Sequence, residues 1–288
     1  MNNILVTGSN GQLGSELREV SPNYPNNNFL FTDVENLDIT NHKAVKEFVQ
    51  INKINVIINC AAYTAVDKAE SEFELANTIN HLAVANFAQI VKDNNIKFIH
   101  ISTDYVFNGY SYKPYVESDM PDPKSIYGQT KLYGEQVIQK INPANSVIIR
   151  TSWVYSVFGN NFVETMLRLA KDREEISVVV DQIGSPTHAA DLAQSILEIL
   201  PLIQNEMTEV YHFSNEGVCS WYDFSKAVFE IKNIKINLLP LESVDYKTKA
   251  IRPYYSVLNE SKIKQKYNLT IPYWRSSLKK YLNNSNLN

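Results

Sequence analysis

The stretch "NILVTGSNGQLG", residues 3–14, is the most informative part of the sequence for the fold. A short apolar run leads into three glycines, Gly8, Gly11 and Gly14, at the start of a helical segment. The first glycine permits a tight turn, the second lets the backbone approach a pyrophosphate, and the third allows close helix–strand packing. Glycine-rich turns are common, but this one joins the first strand to the first helix, which is the context that the motif requires. The stretch therefore predicts a dinucleotide-binding turn, with a purely structural turn as the alternative.

Further apolar runs predict the strands that follow. They are "NFLFTD", "NVIINCA", "KFIHIST" and "NSVIIRTSW", and segments with helical periodicity such as "NHKAVKEFVQIN" lie between them. Apolar strands that alternate with helices are typical of a parallel sheet covered on both faces. The sequence therefore predicts an α/β fold with a doubly wound, Rossmann-type parallel sheet, whose ligands bind at the carboxyl ends of the strands.

The pattern loosens after about residue 170. We predict an NAD(P)-binding Rossmann domain over residues 1–170, with a returning strand near 209–215. Residues 171–288 are predicted to form a smaller substrate-binding or lid domain. The polar end, "NNSNLN" (283–288), is expected to fray.

Composition excludes several classes of partner. The 288 residues carry a formal net charge of −4, which does not favour binding to nucleic acid or to an anionic membrane. No apolar run reaches the roughly 20 residues of a membrane span, and with a strand predicted from the first residues we expect no signal peptide. Two cysteines and five scattered histidines indicate reduced thiols and no metal site. We expect a cytoplasmic protein, and a homodimer is left open.

Two acidic residues follow the second predicted strand. Asp33 ends "NFLFTD", at the separation expected for a carboxylate that accepts from the adenosine ribose hydroxyls. No Lys or Arg follows until Lys43, so a 2′-phosphate has no evident partner, and NADH is favoured over NADPH. Asp38 is a second candidate, closer to the adenine. The alternative for both Asp33 and Asp38 is a purely structural role, as a helix N-cap or a turn residue.

Two Tyr-x-x-x-Lys pairs are present. Residues four apart lie on one face of a helix. The ammonium of Lys131 can therefore lie near the group that Tyr127 contacts. A nearby cation favours the phenolate and lowers the pKa of tyrosine from about 10. Beside a nicotinamide, such a tyrosine can protonate the oxygen of a ketone while hydride reaches its carbon. Tyr222 and Lys226 have the same spacing far downstream and are interpreted as a surface pair.

A third group is needed to orient the carbonyl. "HISTDYVF" supplies Ser102 and Thr103 at the carboxyl end of a predicted central strand, shortly before Tyr127. The downstream pair has no glycine turn and no strand-end hydroxyl leading into it. We therefore assign Tyr127 and Lys131 as the catalytic pair, with Ser102 or Thr103 as the hydroxyl that orients the carbonyl.

These motifs together resemble the extended short-chain dehydrogenase/reductase superfamily. "GQLG", "NCAAYTAVDKAE", "STDYVFNG", "YGQTKLYGE", "RTSWVYS", "DQIGSPT" and "RPYYS" are similar, more narrowly, to the dTDP-4-dehydrorhamnose reductase family. The resemblance runs in order from the first strand to about residue 256. It implies reduction of the C4 ketone of dTDP-4-dehydro-β-L-rhamnose to dTDP-L-rhamnose with NADH or NADPH.

The resemblance also implies residue roles. The catalytic residues implied are Tyr127, the proton donor, Lys131, which lowers the pKa of Tyr127 and holds the nicotinamide ribose, and Thr103. Thr103 tunes the tyrosine and binds the sugar together with Asp104. Trp153 would contact the hexose, with plain core packing as the alternative. The further cofactor contacts implied are Asn10, Gly11 and Gln12 at the pyrophosphate, Asp38 and Ile39 near the adenine, and Ala61, Ala62 and Tyr63 along the cofactor.

Some members of the family are described with a magnesium ion, for which only Glu16 and Asp191 are candidates here, so no metal is predicted. A reductase of another 4-keto-6-deoxy sugar nucleotide is the nearest alternative, since the same three residues serve any such ketone. A dehydratase would need a further carboxylate beside Asp104, which "STDYVF" does not supply. A non-catalytic regulatory subunit of the methionine adenosyltransferase type is the alternative from a different class.

Overall fold

Six parallel strands form the central layer of the protein, which we describe from a computed structural model covering residues 2–284. In spatial order they are β10 (Glu209–His212), β5 (Ser146–Thr151), β4 (Lys97–Thr103), β3 (Val56–Asn59), β1 (Asn2–Thr7) and β2 (Asn27–Thr32), numbered along the chain. The chain moves outward in one direction from β1 to β2 and in the other from β3 onward, so β1 and β3 flank the switch point. The predicted fold class is confirmed.

Helices cover both faces of this sheet. One face carries α1 (Gln12–Val20), α8 (Ala189–Ile199) and α10 (Ser261–Tyr267), and the other carries α2 (His42–Ile51), α5 (Ala83–Asn94) and α6 (Ile126–Ile141). Side chains of a strand alternate between faces. Ile4 and Val6 therefore pack toward α1, whereas Leu5 packs toward α5.

The connection between β3 and α5 is irregular. It contains α3 (Val66–Ala69), α4 (Phe73–Asn77) and a π-helical turn (Thr78–Leu82) that runs directly into α5. Short π-helical turns inside helices are frequent at functional sites. Among residues 2–284, the 3₁₀ turns are Ser21–Asn23, Asp104–Val106 and Leu200–Leu202.

A second, smaller hydrophobic core, which we call the smaller cluster, lies outside the six-stranded sheet. Its helices are α7 (Phe162–Asp172), α9 (Trp221–Ile231) and α11 (Trp274–Asn284). Its short strands pair as β7 (Glu175–Val179) with β12 (Asn237–Leu241), β6 (Val154–Tyr155) with β9 (Thr187–His188), and β8 (Ile183–Gly184) with β11 (Cys219–Ser220). Val163, Phe224 and Leu278 are completely buried in its core.

The packing crosses the predicted boundary at residue 170. α7 lies almost entirely before it but packs with the smaller cluster, whereas α8 and β10 lie after it and belong to the layers of the main sheet. The division into 1–170 and 171–288 stays a prediction. Residues 285–288 of the polar end lie outside the described residues. Among residues 2–284, no helix is long and apolar enough to cross a membrane.

Candidate active site

A cavity of about 740 Å³ opens at the carboxyl ends of the sheet strands. Its volume falls within the roughly 300–1,000 Å³ of small-molecule sites. The predicted site residues that line it are Gly8, Gly11, Gln12, Gly14, Asp33, Asp38, Ile39, Ala61, Ala62, Thr103, Asp104, Tyr127, Lys131 and Trp153. Asn10 and Tyr63 lie outside this lining.

The glycine turn brings the backbone of β1, α1 and the segment after β3 into close contact. Gly8 has a φ of +64°, and a Cβ there would lie 2.6 Å from the backbone nitrogen of Ala61. A Cβ on Gly14 would lie 2.4 Å from the carbonyl oxygen of Gly8. No side chain caps the first turn of α1, whose N-cap residue is Gly11. An uncapped helix start with a close-packed turn fits the pyrophosphate of a dinucleotide.

Both acidic candidates form local turns beside the cavity. Asp33 Oδ2 accepts a hydrogen bond from the Asn10 backbone nitrogen at 2.8 Å, and Oδ1 accepts from Val34 N at 2.9 Å. Asp38 Oδ1 accepts from the backbone nitrogen and the hydroxyl of Thr40 at 2.9 and 2.7 Å. The bonds from Asn10 and Val34 hold the carboxylate of Asp33 against the glycine turn.

Tyr127 lies in the first turn of α6 and faces the end of β4. Thr103 is the last residue of β4, and its hydroxyl donates to Asp104 Oδ1 at 3.0 Å. The ring of Tyr105 meets the ring of Tyr127 edge-on, with centroids 5.5 Å apart. The strand-end hydroxyl, the carboxyl group and the phenol therefore converge at one end of the cavity.

Burial raises the pKa of Tyr127 to about 12. A hydrogen bond with Thr103 lowers this pKa, and the Asp104 carboxylate raises it. The net direction is opposite to the one expected from the sequence, because burial contributes more than any neighbouring group. At neutral pH the phenol therefore carries the proton that an acid must donate.

Lys131 is buried one helical turn beyond Tyr127. Its Nζ donates to the carbonyl oxygen of Ile101 at 2.6 Å. Burial lowers the pKa of Lys131 to about 8, and its interactions with Glu135 and Cys60 act in the opposite direction. The ammonium and the phenol line the same cavity, as the spacing predicts for one helix face.

Asp104 combines deep burial with incomplete hydrogen bonding. Burial raises its pKa to about 6, although hydroxyl groups of Ser256 and Thr103 act to lower it. Within residues 2–284, its Oδ2 atom is buried without a hydrogen-bond partner. Asp104 lines the cavity, so this unpaired acceptor is a candidate partner for a hydroxyl group of a bound ligand.

Trp153 adopts a left-handed backbone conformation with a φ of +48°, which is an outlier for a bulky residue. Its ring stacks on Trp221, with centroids 3.5 Å apart and planes 8° apart, and both rings line the cavity. A Cβ on Gly184 would lie 2.6 Å from the Trp153 ring, so only glycine leaves room there. Phe162 supports Trp221 from the smaller cluster, with centroids 4.4 Å apart.

Asn80 ties the segment after β3 to the catalytic helix. It lies within the π-helical turn, and its side chain accepts from Tyr63 N at 2.9 Å and donates to Tyr63 O at 3.1 Å. It also donates to the hydroxyl of Thr130, next to Lys131, at 3.1 Å. The hydroxyl of Tyr63 donates to Glu72 at 2.5 Å. Tyr63 therefore meets Asn80 and Glu72, and its contact with the cofactor stays a prediction.

The downstream pair lies apart from the cavity. The Tyr222 hydroxyl points to the carbonyl oxygen of Leu238 at 3.4 Å, in the smaller cluster. Neither Tyr222 nor Lys226 is among the residues that line the cavity.

The two acidic metal candidates are bound to polar groups of the protein. Glu16 accepts from the Ser156 hydroxyl at 2.7 Å, and Asp191 accepts from the Asn215 amide at 2.8 Å. Over residues 2–284, no group of three or more potential metal ligands lies together.

Comparison with known proteins agrees with this geometry. A family model described as "RmlD substrate binding domain" matches residues 1–287. A dTDP-4-dehydrorhamnose reductase from Aggregatibacter actinomycetemcomitans is 39% identical, over 97% of this chain and 98% of that protein. The chain belongs to the dTDP-4-dehydrorhamnose reductase family.

Solved structures of this family superpose closely on the chain. A dTDP-4-dehydrorhamnose reductase from Clostridium acetobutylicum has 40% identity and a TM-score of 0.93, with 98% of each chain covered. One from Bacillus anthracis in complex with NADP has 41% identity and a TM-score of 0.93, covering 98% of this chain and 99% of that one. The resemblance inferred from the sequence motifs is confirmed.

Two residues relevant to a dTDP-4-dehydrorhamnose reductase were missed by the sequence argument. Trp221 lies in "CSWYDF", and nothing in the local sequence shows that it stacks on Trp153. Arg18 precedes Asp33 in the sequence, whereas the preference for NADH was based on the absence of cations just after Asp33. Its guanidinium donates to Ser9 at 3.0 Å and lies 4.9 Å from the centroid of the Phe31 ring. Phe31 precedes Asp33 by two residues, so the guanidinium lies in the neighbourhood of Asp33.

Proposed function

We propose that this chain reduces the C4 ketone of dTDP-4-dehydro-β-L-rhamnose to give dTDP-L-rhamnose, as a member of the dTDP-4-dehydrorhamnose reductase family. The observation that carries the proposal is the meeting of the glycine turn, Thr103, Tyr127 and Lys131 in one cavity. A reduced nicotinamide dinucleotide, when bound, supplies the hydride. The glycine turn and Asp33 fit such a cofactor, since added Cβ atoms would close the turn.

Tyr127 is proposed as the acid that protonates the carbonyl oxygen. Because burial raises its pKa to about 12, the phenol holds its proton at neutral pH until negative charge develops on the substrate oxygen. Thr103 hydrogen-bonds to the phenol and orients the same oxygen. Lys131 is proposed to hold the nicotinamide ribose and to favour the phenolate that remains.

Asp104 and the Trp153–Trp221 pair are proposed as the sugar-binding groups. The buried Oδ2 of Asp104 needs a donor, which a sugar hydroxyl supplies. The stacked indoles give a flat apolar wall for one face of a deoxysugar. The remaining roles proposed are Asn10, Gly11 and Gln12 at the pyrophosphate, Asp38 and Ile39 at the adenine, and Ala61, Ala62 and Tyr63 along the cofactor.

We propose that NADH and NADPH both serve, with a modest preference for NADH through the Asp33 carboxylate. Arg18 acts against a preference for NADH. Its guanidinium lies in the neighbourhood of Asp33, where it would pair with the 2′-phosphate of NADPH. The test is the ratio of kcat/KM for NADH and NADPH in wild type and in the Arg18→Gln variant. If Arg18 serves NADPH, the variant loses activity with NADPH and keeps it with NADH.

The proposal extends to location and assembly. Cys60 and Cys219 are free thiols, which is usual for a cytoplasmic protein. A homodimer is proposed as the assembly to test, by sedimentation equilibrium at several protein concentrations.

The deciding experiment supplies dTDP-4-dehydro-β-L-rhamnose with each reduced cofactor and follows the nicotinamide absorbance. We expect cofactor oxidation in step with formation of dTDP-L-rhamnose, identified by NMR. Faster turnover of a different 4-keto-6-deoxy sugar nucleotide would reassign the substrate. No turnover of any of them, together with tight binding of a methionine adenosyltransferase, would instead indicate the regulatory function.

A further inference from the structure

Glu135 lies on the same face of α6 as the catalytic pair. It follows Lys131 by four residues, as Lys131 follows Tyr127, so the three side chains occupy successive turns. Glu135 is completely buried, at 0% exposure. A buried carboxylate is costly unless it is fully paired, so its partners determine what it does.

Two neighbouring strands hold this carboxylate. Ser102, beside Thr103 on β4, donates its hydroxyl to Oε1 at 2.5 Å. Arg150 on β5 donates from Nε at 2.9 and 3.1 Å and from Nη2 at 2.6 Å. Arg150 in turn lies 3.4 Å from a ring nitrogen of His212. Glu135 is therefore fixed in place by Ser102 and by its ion pair with Arg150.

Three further titratable groups near Lys131 are neutral near pH 7. Burial raises the pKa of the Cys60 thiol to about 12. Burial and the Lys131 charge together hold the pKa of His100 well below its ordinary value. Tyr127 keeps its proton because burial raises its pKa to about 12. Glu135 thus supplies the negative charge that opposes the loss of the Lys131 proton.

We propose that Glu135 is a positioning residue, which holds Lys131 in its ammonium form beside the cofactor cavity. The inference rests on the proposed function, because it assigns Glu135 to the same reaction. Ser102 and Arg150 keep the carboxylate one helical turn from the lysine, and the Ile101 carbonyl directs Nζ toward the cavity wall.

The Glu135→Gln variant tests the proposal. Loss of the carboxylate lowers the pKa of Lys131, so the alkaline limb of the kcat profile moves to lower pH by about one to two units. Activity near pH 6 is retained, whereas activity near pH 8 falls about tenfold or more. Glu260→Gln, which alters a largely buried carboxyl group outside the cavity, should leave the limb unmoved. A folded Glu135→Gln protein with an unshifted limb, or with equal losses at every pH, overturns the proposal.

A second variant guards against misfolding, because Glu135→Gln leaves Arg150 buried without its counter-charge. The double variant Glu135→Gln, Arg150→Met removes both charges and should shift the limb in the same direction by a smaller amount. If the folded double variant has its alkaline limb of the kcat profile at the same pH as wild type, the proposal is contradicted.

A readout without turnover separates this inference from the proposed function. Lys131 can be titrated by NMR in protein labelled with ε-¹³C-lysine, with its resonance assigned by its loss in Lys131→Met. We expect a lower midpoint in Glu135→Gln than in wild type. Inactive wild-type protein would refute the proposed function, whereas an unchanged midpoint would refute the role of Glu135 alone.

Discussion

Trp153 and Trp221 stack with ring centroids 3.5 Å apart, although one follows β5 and the other opens α9. Trp153 has a φ of +48°, a conformation that costs a bulky residue about 1–3 kcal/mol. The surrounding packing must offset this cost, and the stacking of Trp153 on Trp221 is part of that packing. The two indoles thus act as one wall of the cavity, with Trp221 holding Trp153 in place.

Removing the stack should weaken substrate binding selectively. In Trp221→Leu, we expect KM for the sugar nucleotide to rise about 3- to 10-fold, since aromatic pairs contribute about 0.5–1.5 kcal/mol beyond their buried area. The dissociation constant of NADPH, measured by fluorescence, should change little. Tyr222→Phe, the adjacent residue, is the matched control. An equal rise in KM in both variants would show that the effect is general loosening of α9.

Tyr127→Phe should abolish most of the chemistry while keeping the cofactor site. Loss of a positioned acid typically costs about 10²- to 10⁴-fold in rate, so kcat should fall by that factor. Cofactor affinity should survive, because the phenyl ring still fills the same space. Tyr222→Phe should keep wild-type turnover, since its hydroxyl faces Leu238 in the smaller cluster. Comparable losses in kcat in the two variants would mean that the wrong pair was assigned.

The sheet was predictable because its signals are local. Each strand is a continuous apolar run followed by a turn or a helical segment, and the glycine spacing marks the first crossover. Tyr127 and Lys131 share a face through helix geometry alone, which needs no tertiary information. These features depend on short-range periodicity, and the sequence contains it directly.

Other features of the site depend on contacts between distant segments. The Trp153–Trp221 stack, the approach of Arg18 to the glycine turn, and the pairing of Glu135 with Arg150 each join separate elements. The pKa of Tyr127 was expected to fall, and it rises because the sequence does not give its burial. Environment, more than residue identity, sets the charge of a buried group.

Gly8→Ala should disrupt both the fold and the cofactor site. Its φ of +64° disfavours a Cβ, and the Cβ would lie 2.6 Å from Ala61 N. We expect a loss of about 1–3 kcal/mol in the free energy of unfolding and weaker NADPH binding. Gly159→Ala is the informative comparison, because Gly159 also has a positive φ, +69°, but its Cβ would meet Gln12 Cγ only at 3.4 Å. Equal destabilisation in thermal melts would mean that φ alone decides the cost.

Asp104 should make the protein less stable as the pH rises through its titration. Its pKa is raised by burial from 3.8 to about 6, so between these values the folded state binds more protons than the unfolded state. The free energy of unfolding therefore falls from about pH 4 to pH 6, by at most about 3 kcal/mol for this group.

Asp104→Asn removes the buried charge and should be more stable than wild type at pH 7, with a much smaller difference at pH 4. Urea unfolding at the two pH values measures this. The gain accompanies a loss of activity, because the carboxylate is proposed to accept from the sugar, and functional groups are often held at the expense of stability. The quantity to compare is the difference in free energy of unfolding between variant and wild type at each pH. An equal difference at pH 7 and pH 4 would show that the buried charge of Asp104 does not destabilise the fold.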